Sequence, residues 1–82
     1  MFYVYVLKCN NKDLYIGYSD NLKERVKEHN LGKVTSTGSK RPLTLVYYEA
    51  YKDKRDATKR EYFLKTGQQR ELLKERLKYS IE

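Results

Sequence analysis

Eighty-two residues make one small domain with a single core and are too few for two. With 39% hydrophobic residues, nine tyrosines and two phenylalanines, the chain is too apolar for a disordered one although 35% of its residues are charged. Eighteen Lys and Arg against 11 Asp and Glu leave a formal charge of +7, which makes a polyanion the first candidate partner, and one Cys with one His excludes an internal disulfide or a zinc finger.

The apolar start, Phe2 to Leu7, is too short for a membrane span and lacks the basic lead of a signal peptide, so a cytoplasmic location and no membrane partner are expected. Phe2-Tyr3-Val4-Tyr5-Val6-Leu7 has strand composition, and Leu14-Tyr15-Ile16-Gly17-Tyr18 resumes it after a polar turn from Cys9 to Asp13. The two form a hairpin. Pairing Lys8 with Lys12 sets Tyr5 opposite Tyr15, whereas pairing Cys9 with Lys12 sets Ile16 opposite Tyr5 and splits the tyrosines between faces.

Ser19, Asp20 and Asn21 are helix-capping residue types, and Leu22, Val26 and Asn30 follow at helical spacing until Gly32 offers a stop. Lys33 to Arg41 lacks apolar periodicity and reads as a surface loop of hydroxyls and cations, ended by Pro42. Leu43 to Tyr51 is a third strand, Asp53 caps a second helix running to about Lys65, and Gln68 to Lys78 form a third helix. The predicted fold is α+β: a three-stranded antiparallel sheet flanked by three helices, in the order strand, strand, helix, strand, helix, helix.

Several residues stand out as carriers of chemistry. Tyr3 and Tyr5 share a face of the first strand, as do Tyr15 and Gly17 of the second, although strand tyrosines usually serve as packing. Arg25 and His29 are four apart on the first helix, where a surface pair of Arg25 with Glu24 or Glu28 is the simple alternative. Glu61 falls on the helix face expected to meet the sheet, so it needs a cation: Arg25, a neighbouring lysine, or a metal ion.

Tyr3-Val4-Tyr5, then Tyr15-Ile16-Gly17 with Tyr15 ten residues after Tyr5, Arg25 ten further on, His29, and Glu61 in the second helix closely resemble the GIY-YIG nuclease domain. The resemblance covers nearly the whole chain and is greatest to small stand-alone bacterial members, similar to the nuclease half of the excision-repair incision subunit. It implies a metal-dependent endonuclease acting on nucleic acid, DNA favoured, with one Mg²⁺ or Mn²⁺ held by Glu61. By the same resemblance Arg25 clamps the phosphate, Tyr5 or Tyr15 handles the water proton, and His29 bonds a tyrosine or the phosphate. Lys33, Lys40 and Arg41 are the expected backbone contacts, and a larger repair or mobile-element protein is a candidate recruiter. Three positions depart from the pattern: Tyr3 for glycine, Tyr18 where the repair nuclease has lysine, and Leu73 where some members carry asparagine. They keep open the alternative of a nucleic-acid-binding module with weak or no catalysis.

Overall fold

Phe2 to Leu7 is apolar at successive positions rather than alternating ones, the signature of a strand buried on both faces. In the computed structural model, which describes Met1–Glu82, strand β1 (Phe2–Lys8) is the centre of the sheet, antiparallel to β2 (Leu14–Ser19) on one side and β3 (Thr44–Tyr51) on the other. Between them lie helix α1 (Leu22–Asn30), a 3-10 turn (Thr35–Lys40) and, after β3, helices α2 (Lys54–Leu64), α3 (Gly67–Arg76) and the short α4 (Lys78–Ile81). No helix is long and apolar enough to cross a membrane.

Helices cover both faces of the sheet, because β1 offers each an apolar row. Val4 and Val6, with Leu14 and Ile16 of β2, bury against Ala57 and Leu64 of α2 and Leu73 and Leu77 beyond it. On the opposite face Tyr5 and Leu7 pack with Cys9 and Leu43, joined by Leu22 and Val26 of α1. The helix expected over Gln68 to Lys78 is interrupted at Leu77, a bend that keeps Ile81 against the same core as Leu73. The expected surface loop contains the 3-10 turn, whose Thr37 is fully buried.

The hairpin register differs from both expected pairings. Tyr5 stands opposite Gly17, Val6 opposite Ile16 and Leu7 opposite Tyr15. The cause is a longer turn, closed by the Cys9 N–H donating to the Asp13 carbonyl at 2.8 Å, with the positive φ falling on Lys12. A shift of two from the Lys8–Lys12 pairing preserves facing, so Tyr5, Tyr15 and Gly17 still share a face. On the other side of β1 a bulge between the Val6 and Leu7 pairings adds a residue to β3. Leu45 and Tyr48 thereby come to the α1 face, while Tyr47, Glu49 and Tyr51 line the α2 face.

Polar clamps tie the helices to this sheet. Arg60 of α2 donates from Nε and Nη2 to the two oxygens of Glu49 at 2.9 and 3.1 Å, and the Tyr47 and Tyr51 hydroxyls donate to the same carboxylate. Burial pushes the Glu49 carboxyl up, but Arg60 and the two hydroxyls outweigh it and hold it below its ordinary value. Arg70 of α3 donates to the Leu14 carbonyl, and the Asn30 amide exchanges hydrogen bonds with the Leu43 backbone, at 2.8 and 2.9 Å.

Gly17 is required by a neighbour, since a Cβ there would collide with Cζ and the hydroxyl oxygen of Tyr5. Gly17→Ala is therefore expected to destabilise the fold by about 1–3 kcal/mol. The melting temperature should fall by at least about 4 °C. Gly38→Ala, where an added Cβ meets nothing within 4 Å, should leave the melting temperature nearly unchanged and serves as the control.

Candidate active site

With no side chain on Gly17, the Tyr5 ring lies across β2 and its hydroxyl reaches α1, 2.9 Å from His29 Nε2. The other imidazole nitrogen, Nδ1, is 2.7 Å from Thr37 Oγ1, whose hydroxyl donates to the Val34 carbonyl. One polarity satisfies the whole chain: Tyr5 O–H donates to Nε2, Nδ1–H donates to Thr37, and Thr37 donates to the backbone. That polarity requires a neutral imidazole, and His29 and Thr37 are both completely buried. Burial holds the His29 pKa below its ordinary value, and the Arg25 cation adds to the effect.

Tyr15 stands on edge to His29, ring centres 4.9 Å apart, and 6.4 Å from the Tyr5 ring. It is only half-buried, whereas Tyr5 is 1% exposed. Arg25 lies beside the Tyr5 hydroxyl and pairs on its own helix with Glu28 at 3.4 Å, in a half-buried contact within one helix that stabilises little. Burial pushes the Tyr5 phenol up to about 12 despite the pull of Arg25, with Tyr15 and Glu61 adding smaller upward contributions. Tyr5, Tyr15, Arg25 and His29 thus form one cluster, and Glu61 is near enough for its charge to act on Tyr5.

Glu61 has a lysine partner: Lys65 Nζ, one turn along α2, is 3.1 Å from Oε2, and the carboxylate is 21% exposed. No three His, Cys, Asp or Glu side chains gather to hold a metal. A single carboxylate fits an oxygen-seeking divalent ion that keeps most of its waters, as Mg²⁺ does, and does not fit a preformed zinc or calcium cage.

The basic loop divides. Arg41 Nε donates to the Gly38 carbonyl at 2.9 Å and its guanidinium packs over Gly32, whose φ of +77° favours glycine, so Arg41 is occupied within the loop. Lys33 is exposed and Lys40 half-buried. At the departures, Leu73 is a core residue with no polar role, and the Tyr18 ring lies 5.9 Å below the Lys54 ammonium, so α2 brings a lysine to the position that lacks one. Thr37 escaped sequence reasoning, whereas Lys65 is the neighbouring lysine among the cations expected for Glu61. Thr37 sat among other hydroxyl residues with no periodicity to mark it.

Buried neutral His29 predicts a specific pH dependence. The unfolded chain takes up a proton near pH 6.5, the ordinary histidine value, and the folded state resists it. Stability is therefore fully present above pH 6.5 and declines as the pH falls below it. Thermal melts from pH 8 to 5 should show this decline, and His29→Gln should remove it, because the chain has no other histidine. NMR titration of the imidazole protons should find His29 unprotonated below its ordinary value; an ordinary midpoint would reject the neutral network.

Residues 1–76 match the family model described as the GIY-YIG catalytic domain. The chain is 46% identical over 76 residues to a UPF0213 protein of Pediococcus acidilactici, covering 89% of this chain and 78% of that one. A UPF0213 protein of Staphylococcus haemolyticus is 42% identical over 73 residues, covering 88% and 89%. The solution structure of a UPF0213 protein from Bacillus halodurans superimposes with a TM-score of 0.57 at 34% identity, covering 89% of this chain and 82% of that one. On the family match and these relatives, the chain belongs to the GIY-YIG family, among its small bacterial UPF0213 members.

Proposed function

We propose that this protein is a metal-dependent endonuclease that hydrolyses phosphodiester bonds in nucleic acid, DNA favoured, in the bacterial cytoplasm. The observation that carries the reading is convergence. Tyr5 of β1, Tyr15 of β2, and Arg25 and His29 of α1 gather in one cluster, and the charge of Glu61 on α2 is felt at Tyr5.

Each group has a role suited to its setting. The Arg25 guanidinium offers a planar fork to the non-bridging oxygens, where charge grows during attack. Tyr15, partly open to solvent, orients the attacking water through its hydroxyl. Tyr5, at about 12, stays protonated at pH 7, so it serves as a fixed donor to His29 Nε2 and holds the ring against which Tyr15 stands. Glu61 would hold one Mg²⁺ or Mn²⁺, which when bound polarises the phosphoryl oxygen and lowers the pKa of a bound water. Lys33 and Lys40 contribute backbone contacts, with Arg41 shaping the loop that carries them. A larger repair or mobile-element protein is the proposed recruiter of this domain.

A binding module without catalysis is the second reading, favoured by Leu73 in the core and by the ion pair that already occupies Glu61. Plasmid nicking separates the two. The nuclease reading expects Mg²⁺-dependent nicking that Glu61→Gln abolishes with the melting temperature preserved; binding without any nicking by the wild type would leave the module. Arg25→Lys should lower the single-turnover rate about a hundredfold, the loss typical of one preorganised donor. Its affinity for the same oligonucleotide should barely change; weakened binding at a normal rate would make Arg25 an anchor only.

A further inference from the structure

The α1 face of the sheet is not fully covered. α1 shields β2 and β1, but the bulge in β3 turns Tyr48 to the same face, where its ring is 53% exposed. Tyr48 is the direct cross-strand partner of Tyr5 and meets the Tyr3 ring edge-on at 6.0 Å. The two rings wall a groove of about 510 Å³, whose floor includes Leu22 and Val26 of α1 and whose rim carries Lys23 and Asp20. That volume lies within the rough 300–1,000 Å³ range of ligand clefts. Leu22 and Val26 also pack against the cluster that contains Tyr5, so the groove adjoins the candidate active site.

We propose that this groove is a nucleobase subsite, in which Tyr48, with Tyr3 beside it, stacks an unpaired base of the strand whose phosphate lies at Arg25. The inference rests on the nuclease reading and adds the recognition of a flanking base. Three observations favour this occupant. An exposed tyrosine on a sheet offers a flat π surface, the form in which sheets commonly bind unstacked bases. Cβ atoms of direct cross-strand partners stand about 4.5–5.5 Å apart, so Tyr48 begins one strand over from Tyr5, the residue beside Arg25. The chain's +7 charge, with Lys23 at the rim, draws the polyanion backbone that would bring the base in, while Asp20 can accept a hydrogen bond from a base edge.

The test uses fluorescent oligonucleotides without divalent metal, so that binding is measured alone, on the wild type, Tyr48→Phe and Tyr48→Ala. Tyr48→Ala should weaken binding of a single strand roughly tenfold. Tyr48→Phe should retain it, and a fully paired duplex should be little affected. Removing one base at a time should reveal one abasic position that weakens wild-type binding but not that of Tyr48→Ala, a coupling expected only if ring and base touch. Equal losses for Phe and Ala, or abasic effects that simply add to the substitution, would overturn the subsite. So would a concentration-dependent dimer dispersed by Tyr48→Ala, which would make the groove a self-interface. Cleavage of the same strands with Mg²⁺ distinguishes the two proposals: cutting without base coupling leaves the nuclease and removes the subsite. Coupling without cutting leaves the subsite and removes the nuclease.

Discussion

The close approach of Tyr5 to Gly17 is the contact on which the site depends. The ring can cross β2 only because residue 17 has no side chain, and by crossing it the hydroxyl reaches His29 on the helix that follows. His29 in turn bonds Thr37, which ties the 3-10 turn to α1. One missing methyl therefore joins the hairpin, the first helix and the basic loop through a single buried hydrogen-bonded chain. Each partner left unsatisfied in such a setting costs about 1–3 kcal/mol. The network specifies one arrangement of these elements as well as stabilising it.

The other face has a comparable constraint. Apolar contacts of Ala57 and Leu64 press α2 onto the sheet but do not by themselves fix its rotation, since such contacts are non-directional. The fork from Arg60 to Glu49, with hydroxyls from Tyr47 and Tyr51, is directional. Arg60 precedes Glu61, so the clamp that orients α2 also sets the direction of the carboxylate. The bulge in β3 contributes twice: it delivers Glu49 to this clamp and Tyr48 to the opposite face.

Charge within the site is arranged with restraint. Arg25 lies beside a protonated Tyr5 and a neutral His29, and Glu61 is neutralised by Lys65, so the cluster holds cationic character without an uncompensated buried anion. The only ion-pair partner of the Arg25 guanidinium is the half-buried Glu28. A single ion pair within one helix braces the fold little, so Arg25 is not committed to a structural partner.

The sequence by itself determined the three strands, the two capped helices, and the strand faces shared by Tyr3 with Tyr5 and by Tyr15 with Gly17. These follow from local composition, capping and a period of two, which need no distant partner. It also marked Arg25, His29 and Glu61, through spacing on helices and through likeness to a known family. Only the tertiary structure decided the hairpin register, because the turn closes through a positive φ at Lys12 that no asparagine preference revealed. It alone buried Thr37, paired Glu61 with Lys65, and moved Tyr48 beside Tyr5, since each depends on contacts between separate elements or on a bulge. Local pattern fixes what a segment forms, whereas the partner of a side chain depends on how those segments pack and on which polar groups must then be satisfied.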